Sequence, residues 1–548
     1  MNIRLAAACA LVATVAACAG PHQGSAVPTG RNSQIAKPPP TLAEAIRRGV
    51  RLGPAGRDTV VDLSFGLTPR NQAELQALIA SGRTVAPAAY SALFGPDAAQ
   101  VAKAVAAIDA VGMRASWQPG WGLIAADGPA PAAARLLGVD IENYRFAGSE
   151  FYATLDQPHM PPQVAAVAAG VSGLDDYRGA RGYAVRPGGM TPTDLLSYYN
   201  VKPLQAAGLD GTGETILFPE IDDLPNLSDL DRFASEFGLP AFDSLLTVKR
   251  DANWGTPGKP AGETALDLEI AHEIAPGAKL VVYLSAPDFG HGDRAFDQLV
   301  TDHLGSIISE SLGSCEPDTP GGARNNYAAV QDRAIALGMT HFVASGDNGA
   351  YTCGLDQDPA ASFPSTLPTV TAVGGTSVFE SQQGVYYKEY AWSSPIDESG
   401  GGGGASQFYA LPGWQKNEAQ ASGHGLRQVP DVSADGDPST GFHIVFAGQD
   451  AQVGGTSAAT PMWAGTAALI DQDLRKHSLR EVGFANPALY YIGENSARLN
   501  PRPFHDVTQG NNLGFDAGTG WDFATGWGSM DAAALDSAWI QYIKGGGS

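Results

Sequence analysis

Basic residues are scarce in this chain of 548 residues: Lys and Arg together number 34, against 57 Asp and Glu, and the formal net charge is −23. Nucleic acids are bound through basic surface that neutralises phosphate groups, so this balance argues against a nucleic-acid partner. Hydrophobic residues make up 44% and charged residues only 17%, which argues against a disordered chain and indicates a globular one. The excess of carboxylates also suits an acidic environment, where protonation relieves their mutual repulsion.

Cysteine is scarce too, with four residues in the whole chain. Two of them fall in the first 18 residues, which leaves Cys315 and Cys353 in the main body. In an oxidising compartment two such cysteines favour a disulfide over a metal site, provided that their geometry allows it. There is no cluster of Cys and His, which argues against a soft-metal site.

Residues 1–20 (MNIRLAAACALVATVAACAG) contain one early arginine and then a short apolar stretch that ends in small residues. This pattern is typical of a signal peptide and is too short to span a membrane. The end of the stretch, Val15-Ala16-Ala17-Cys18, resembles the lipobox of bacterial lipoproteins, in which the cysteine becomes the lipidated first residue. Ordinary signal cleavage nearby is the alternative. We expect a secreted, extracytoplasmic protein whose only link to a bacterial membrane would be a lipid anchor on Cys18.

Residues 1–18 are predicted to be a signal peptide, and the rest of the chain is predicted to divide into two domains near residue 190. Residues 19–55 are rich in Pro, Gly and basic residues and read as a tether. Residues 56–173 alternate short strands and amphipathic helices (VVDLSFGL, NQAELQALIAS, QVAKAVAAIDAVGM, WGLIAADG, PAPAAARLLG), which predicts a small α+β domain. Residues 174–190 are rich in Gly and Arg without periodicity, as expected of an exposed, cleavable linker.

Residues 191–544 are predicted to form an α/β domain. Its apolar runs are ETILFPEI, AKLVVYLSA, GSIISESLG, THFVASGD and PTVTAVGG, and helical segments separate them. Continuous apolar strands alternating with helices favour a parallel sheet covered on both faces. Catalytic groups would then gather beyond the carboxyl ends of the strands. The run Gly400–Gly404 resembles a linker, but ordered-looking segments flank it and favour a functional backbone turn.

The stretch GGTSAATPMWAG places Ser457 after a glycine turn and at the start of a predicted helix. There its own N–H and the helix dipole could stabilise an oxyanion, although an ordinary serine helix cap would look similar. The Gly-Thr-Ser motif resembles that of subtilisins, which need a histidine in a His-Gly-Thr context as the base. The two His-Gly pairs here, at His291 and His424, lie in glycine-rich polar loops without a following threonine. The sequence therefore gives little support to a histidine base.

Carboxylates are better candidates for the base. In GETALDLEIAHEIAPGAK, Glu263 and Asp267 are four residues apart, so both side chains lie on one face of a predicted helix. Two carboxylates at that spacing repel each other, and one of their pKa values should rise. A solvated helix face is the alternative, but Leu266 and Ile270 on the same face favour burial.

Taken together, GETALDLE, Ser345-Gly346-Asp347 and GGTSAATP resemble the motifs of the sedolisin, or serine-carboxyl peptidase, family. The resemblance extends to MTPTDLLSYYN at the start of the mature domain, FPSTLPTVTAVGGT, GGGGGASQFYALPGWQ and VPDVSADGDPSTGF, and residues 60–173 resemble the family's propeptide. It implies a subtilisin-like parallel sheet flanked by helices and preceded by the small α+β prodomain. Within the family, GETALDLE is most similar to the kumamolisin-like endopeptidases.

The resemblance assigns a role to each matching residue. It makes Ser457 the nucleophile, Glu263 its general base and Asp267 the group that orients Glu263 and shares its proton. It makes Asp347, facing the Ser457 amide, a second oxyanion donor, which requires a protonated carboxyl group. Glu220 stands where some relatives have an extra glutamate in the relay. Those relatives also have a tryptophan where this chain has Leu312, which leaves the reach of the relay open.

The C-terminal segment HDVTQGNNLGFDAGTGWDFATGWG combines two aspartates with closely spaced glycines. Ca²⁺ prefers oxygen ligands, and glycines let backbone carbonyls converge on an ion, although a turn without metal would have a similar composition. The resemblance implies one Ca²⁺ ion, with its ligands drawn from the side chains of Asp506 and Asp522 and the carbonyls of Val507, Gly518 and Gly520.

These features imply an acid-acting endopeptidase that cleaves polypeptides and is made as a self-processing zymogen, inhibited by its own prodomain. The alternatives are a tripeptidyl-peptidase of the same family and an inactive binding protein with the same fold. We expect acid to switch on both catalysis and activation. Carboxylates paired across the prodomain interface at neutral pH would lose their partners' attraction once protonated and release the prodomain.

Overall fold

The computed structural model of the chain describes residues 42–146, 149–177, 189–355, 357–380, 385–396 and 398–547. The predicted signal peptide, Cys18 and most of the tether lie outside these residues, as does the centre of the predicted linker, residues 178–188. In the part of the chain that is described, no helix combines the length and the apolar composition needed to cross a membrane.

The N-terminal domain is α+β. It contains two antiparallel sheets. The first has the strand order Arg114–Ser116, Leu123–Pro129, Val60–Leu67, Ala168–Ser172. The second has the strand order Val50–Pro54, Glu142–Phe146, Ser149–Ala153. The helices are Leu42–Arg48, Gln72–Ala80, Pro87–Phe94, Ala98–Asp109, Ala130–Leu137 and Pro162–Ala165. Inward side chains of Val60–Leu67 and of the helix Ala98–Asp109 share one apolar core, as their alternating and helical periodicities predict.

A large mixed sheet forms the centre of the second domain. Its strand order is Tyr386–Ala391, Thr371–Glu380, Thr340–Ala344, Ile307–Glu310, Thr215–Glu220, Lys279–Leu284, Leu246–Lys249, and Val432–Asp435 also pairs with Thr371–Glu380. All of these pairs are parallel except that of the edge strand Tyr386–Ala391, which is antiparallel. The five apolar runs singled out in the sequence all form strands of this sheet. The antiparallel edge was not predicted, because its residues alternate in burial and lack a continuous apolar run.

Helices cover the sheet: Pro192–Tyr198, Lys202–Ala206, Leu227–Phe237, Glu263–Ile274, Phe289–Asp302, Gly321–Ala336, Thr456–Lys476, Asn486–Asn495 and Ala532–Lys544. The remaining strands pair antiparallel: Ser314–Cys315 with Ser362–Phe363, Ser393–Ser394 with Ser399–Gly400, Gly404–Ala410 with Leu426–Val429, Phe442–Phe446 with Gln449–Val453, and Phe504–His505 with Ser529–Met530. Short 3-10 helices lie at Phe242–Ser244, Ala252–Trp254, Gly413–Gln415, Ala421–Gly423 and Ser496–Arg498.

The prodomain packs on the helices Phe289–Asp302 and Gly321–Ala336. Apolar side chains of Gln72–Ala80 and Pro87–Phe94 form one cluster with Ile335 and Ala336. Asn326 accepts a hydrogen bond from the Gly66 amide (2.7 Å) and donates one to the Ser64 carbonyl (2.8 Å), so that it pairs with the prodomain strand as a neighbouring strand would. Sequence periodicity cannot predict such a contact, because it depends on two surfaces rather than on one element.

Candidate active site

The carboxyl ends of three parallel strands bring polar residues to one edge of the central sheet. Thr215–Glu220 ends in Glu220, Ile307–Glu310 is followed by Ser311, and Thr340–Ala344 leads into Asp347. Chemistry in open α/β sheets gathers at this edge because parallel strands all end there. The edge meets the N-termini of two helices, which we name the catalytic helix (Glu263–Ile274) and the nucleophile helix (Thr456–Lys476).

Ser457 is buried in the first turn of the nucleophile helix. The turn before it contains Gly455 with φ of 104°, where a Cβ atom would also stand 2.8 Å from Asp347 Oδ2. Both the backbone conformation and the close approach therefore require glycine at that position. The N–H groups of a first helical turn have no acceptor within the helix, which leaves them available to an anionic group.

Three buried carboxyl groups form a cluster at the start of the catalytic helix: Glu220, Glu263 and Asp267. Burial raises the pKa of Asp267 well above its usual range, and the charge of Glu263 raises it further. Burial also raises the pKa of Glu220, and the charge of Asp267 and a hydrogen bond with Asp267 raise it further. That hydrogen bond favours a proton on Glu220 and an acceptor on Asp267. The three groups cannot all be ionised in this environment, so they share protons.

Ser311 connects the carboxyl cluster to the nucleophile. Its Oγ donates to Asp267 Oδ1 at 2.7 Å and lies 3.2 Å from the carbonyl oxygen of Ser457. The two helices also pack closely, since a Cβ on Gly465 would stand 3.0 Å from the side chain of Ile274. Sequence reasoning missed Ser311. Its only signal was its place directly after an apolar strand, at the edge where catalytic groups were expected.

Asp347 contacts the nucleophile helix one residue before Ser457. Its Oδ1 accepts hydrogen bonds from the amide (2.7 Å) and the hydroxyl (2.9 Å) of Thr456, and the Gly346 amide donates to the same hydroxyl at 3.0 Å. These hydrogen bonds hold the Asp347 carboxyl group at the residue before Ser457, and its proposed position facing the Ser457 amide stays a prediction. A proton on Asp347 would reside on Oδ2, beside Gly455, because Oδ1 already accepts two hydrogen bonds.

The glycine run Gly400–Gly404 packs directly against the segment that carries Asp347. The Gly400 amide donates to the Asp347 carbonyl (2.9 Å), and the Gly402 amide donates to the Gly346 carbonyl (2.7 Å). A Cβ on Gly402 would lie 1.9 Å from the carbonyl oxygen of Ser345, so no other residue fits there without displacing the backbone. The run is therefore an ordered brace for the Asp347 loop rather than a linker.

The histidines singled out in the sequence do not reach the nucleophile in any described contact. His291 lies at the prodomain interface, with Nδ1 2.8 Å from Asp288 and Nε2 3.7 Å from Asp62. On the catalytic helix, His272 points away from the cluster and contacts the carbonyl of Pro240 at 2.7 Å. The side chains gathered around Ser457 are carboxylic acids and hydroxyls.

A disulfide joins the loop after Ser311 to the loop after Asp347. It links Cys315 and Cys353, the two cysteines that the sequence left in the main body, with their Cα atoms 5.0 Å apart. Cys315 follows Ser311 by four residues and Cys353 follows Asp347 by six. The bond therefore ties together the two loops that contact the carboxyl cluster and the nucleophile helix.

The C-terminal segment brings Asp506 and Asp522 to one loop. The Gly520 amide donates to both oxygens of Asp506 (3.1 and 3.2 Å), and the Gly518 amide donates to Asp522 Oδ2 (2.8 Å). Asp522 Oδ1 also accepts from the amides of Ala524 and Thr525, each at 2.8 Å. Burial raises the pKa of both aspartates, to about 6 for Asp522. The exposed Asp506 and the buried Asp522 supply an all-oxygen donor set on a glycine loop, and such a set fits a hard cation.

A second group of buried carboxylates lies under the prodomain. Asp293 Oδ2 accepts from the Ser172 hydroxyl at 2.5 Å, and Asp297 accepts from the Gly122 amide at 2.9 Å while pairing with Arg333 at 2.7 Å. Burial raises the pKa of both, to about 7 for Asp293. A carboxyl group whose pKa rises on docking favours the docked state as pH falls. Hydroxyl and amide groups of the prodomain, rather than prodomain cations, bond these two carboxyl groups. We therefore expect them to oppose release in acid, and the acid release of the prodomain stays a prediction that other interface groups would have to carry.

The chain is similar to known peptidases over most of its length. Residues 258–528 match the subtilase family, and residues 47–177 match the pro-kumamolisin activation domain. Kumamolisin from Bacillus sp. (strain MN-32) is 31% identical over 531 residues, 88% of this chain and 92% of that protein. The structure of Pseudomonas sedolisin, a serine-carboxyl proteinase complexed with two molecules of pseudo-iodotyrostatin, aligns with a TM-score of 0.58 and 31% identity, covering 66% of this chain and 100% of that one. Tripeptidyl-peptidase 1 from Homo sapiens is 27% identical, over 63% of this chain and 64% of that protein.

Proposed function

This chain belongs to the sedolisin family of serine-carboxyl peptidases, and from that premise we propose that it is a secreted, acid-acting endopeptidase made as a self-processing zymogen. The observation that carries the proposal is the Ser311 hydroxyl, which lies within hydrogen-bonding distance of both Asp267 and the Ser457 carbonyl. It places a proton-sharing carboxyl cluster beside a serine at a helix N-terminus. Peptide hydrolysis needs that combination of nucleophile, base and oxyanion site.

In the proposed reaction, Ser457 Oγ attacks the peptide carbonyl carbon while Glu263 takes the hydroxyl proton. The tetrahedral intermediate collapses with cleavage of the C–N bond, and Glu263 returns the proton to the leaving amine. Water then attacks the acyl-enzyme by the same steps and releases the acid product. Asp267 orients Glu263 and shares its proton, and Glu220 holds the next proton of the cluster.

The oxyanion that forms would be stabilised by the Ser457 amide and by a proton on Asp347. The two hydrogen bonds from Thr456 fix the Asp347 carboxyl group, and the glycine brace fixes its backbone. A donor that is already in position needs no reorganisation as charge develops, which is the main advantage of an oxyanion site. Ionised Asp347 would instead oppose the oxyanion, so this role requires acid.

We assign one Ca²⁺ ion to the C-terminal loop, held by the side chains of Asp506 and Asp522 and by carbonyls of Val507, Gly518 and Gly520. The all-oxygen donor set of two carboxylates on a glycine loop supports this assignment. The ion would stabilise the loop and would supply no step of the chemistry.

We further infer that the prodomain inhibits the peptidase until the linker, residues 174–190, is cut near Met190. At the end of that linker, Met190 is anchored by its amide to the Gly441 carbonyl (2.7 Å) and by its carbonyl to the His443 amide (3.0 Å). A new N-terminus here would remain bound to the peptidase. Secretion through the N-terminal signal, with or without lipid attachment at Cys18, is tested by mass spectrometry of the mature N-terminus.

The experiment that tests the function uses purified precursor incubated across a range of pH values. New termini are mapped, and two substrates are assayed: a blocked internal peptide and a tripeptidyl amide with a free amino terminus. Cleavage of the blocked peptide is the expected result. Cleavage confined to the free-amino-terminus substrate would make the protein a tripeptidyl-peptidase. If folded and processed protein cleaves neither substrate, the result would favour an inactive binding protein with the same fold.

A further inference from the structure

The strands Phe442–Phe446 and Gln449–Val453 form a hairpin, here named the nucleophile hairpin, which runs directly into the turn before Ser457. Its second strand ends four residues before Ser457. On the other side of that turn, the Gly455 amide donates to the Gly436 carbonyl at 2.7 Å. With only three residues between the hairpin and the serine, a displacement of the hairpin must displace Ser457 as well.

The nucleophile hairpin is held by side chains of two helices. The Val445 amide donates to Glu269 Oε2 at 2.8 Å, and Glu269 is fully buried on the catalytic helix. At the hairpin tip, the Gly448 amide donates to Asp229 Oδ1 (3.2 Å), and Arg232 donates to the Gly448 carbonyl (3.2 Å). Arg232 also pairs with Asp450. Among these contacts, the Glu269 hydrogen bond alone comes from the helix that carries the proposed base.

Glu269 and Glu263 are six residues apart on one rigid helix, so a contact made by Glu269 fixes the hairpin relative to Glu263. The hairpin also packs on the start of that helix, where a Cβ on Gly262 would stand 3.7 Å from the ring of Phe446. We propose that Glu269 is a positioning residue that holds the nucleophile hairpin against the catalytic helix and so sets the distance between Ser457 and Glu263. This inference rests on the proposed function, since it needs Ser457 as nucleophile and Glu263 as base.

Glu269 can make this contact in either charge state. Burial raises its pKa well above the usual range; the Val445 amide opposes that rise, Glu273 and Asp229 add to it, and Arg232 opposes it. The uncharged acid accepts the Val445 hydrogen bond without placing a buried charge beside those of its neighbours. The ionised acid accepts the bond more strongly, which is why the Val445 amide lowers the pKa. The contact therefore depends on an acceptor at position 269 rather than on its charge.

Glu273 provides a matched control. It lies one turn further along the catalytic helix and is equally buried, and burial alone raises its pKa. Among the described residues, its side chain makes no hydrogen bond to the hairpin. A substitution at Glu273 therefore tests the effect of removing a buried acid from this helix without removing the contact to Val445.

The experiment compares Glu269→Leu, Glu269→Gln, Glu273→Leu and wild type as mature enzymes. We expect Glu269→Leu to lower kcat by roughly 10- to 100-fold with little change in KM, because small displacements of reacting groups carry such costs. Glu269→Gln keeps an uncharged acceptor and should restore kcat. The Val445 amide should stay protected from hydrogen exchange, corrected for its intrinsic rate, in Glu269→Gln and should lose protection in Glu269→Leu. Glu273→Leu should match wild type in kcat and in Val445 protection.

Equal kcat and equal Val445 protection in Glu269→Leu and Glu273→Leu would overturn the proposal. If Glu269→Leu does not fold, Glu269→Gln carries the test. A kcat that changes with Val445 protection unchanged, or protection that is lost with kcat unchanged, would overturn the proposal. Turnover by folded Ser457→Ala protein would instead refute the proposed function. The exchange measurement does not depend on turnover, so the two failures are distinguishable.

Discussion

Two groups of buried carboxylates respond to pH in this molecule, and they differ in what surrounds them. In the catalytic cluster, Glu220, Glu263 and Asp267 lie against one another, and their mutual repulsion adds to the effect of burial. In the docking cluster under the prodomain, Asp293 is bonded by hydroxyl and amide groups and Asp297 by Arg333 and the Gly122 amide. In the catalytic cluster, a proton can move from one carboxyl group to the next. In the docking cluster, we expect a proton on the carboxyl group to favour the bound prodomain.

The comparison gives the two clusters opposite consequences for activation. We expect acid to supply the protons that the catalytic cluster and Asp347 need in the proposed reaction, and we expect the docking cluster to bind the prodomain more tightly as pH falls from about 7 toward the ordinary aspartate range. We therefore expect the acid-dependent step of activation to be cleavage of the linker by the peptidase itself. Loss of the prodomain would follow cleavage rather than cause it.

The largest effect should come from Ser457→Ala, which removes the chemistry and leaves both clusters intact. Peptide cleavage and self-processing should fall by roughly 10⁴-fold or more, because no other group there can form the acyl-enzyme. The measurement is turnover of a blocked peptide, together with the mass of the precursor after incubation in acid. Normal turnover by folded Ser457→Ala protein would refute the mechanism.

Substitutions within the two clusters should then separate their roles. Glu263→Gln removes the base and should lower kcat by about 10²- to 10⁴-fold, whereas Asp293→Asn should leave kcat of the mature enzyme unchanged. Both changes replace a buried carboxyl group with an amide of the same shape, so each controls for the other. If Asp293→Asn lowers kcat as much as Glu263→Gln does, the two clusters do not have separate functions.

The docking cluster makes a prediction about binding that can be tested without cleavage. Ser457→Ala precursor is nicked in the linker by trypsin, which can cut after Arg178 or Arg181, and prodomain retention is measured by size exclusion. Retention should be greater at pH 5 than at pH 7.5, with up to about a tenfold change in affinity per pH unit. Asp293→Asn should reduce that pH dependence. Release that is faster in acid, both from the Ser457→Ala precursor and from the same precursor with Asp293→Asn, would show that other interface groups control docking.

The smallest effect concerns the proposed calcium loop, which is distant along the chain from either cluster. Chelation should lower the melting temperature of the mature enzyme before it alters kcat, since an ion at about 100 times its Kd stabilises the native state by about 2.7 kcal/mol. Asp506→Asn should abolish the difference between calcium-loaded and chelated protein. A melting temperature that does not respond to added calcium, in protein that contains none, would contradict the assignment.

Much of the fold could be predicted because its apolar runs are long and continuous, as buried parallel strands require. Motif order proposed Ser457, Glu263, Asp267 and Asp347 as catalytic residues, and their roles stay predictions. Contacts between distant elements could not be predicted. Ser311 looks like any residue after a strand, and the hydrogen bonds of Asp347 to Thr456 depend on how a loop meets a helix. The pH response expected of the docking cluster also depends on the identity of its partners, which periodicity does not encode.

The most direct test of the account is the pH dependence of kcat/KM for the mature enzyme, with precursor processing followed at the same pH values. A glutamate base with an ordinary pKa of roughly 4.3 and a protonated Asp347 predict a maximum in acid, and self-processing that is fastest there. A maximum near pH 8, or processing that is fastest at neutral pH, would contradict carboxylate-driven catalysis by this chain.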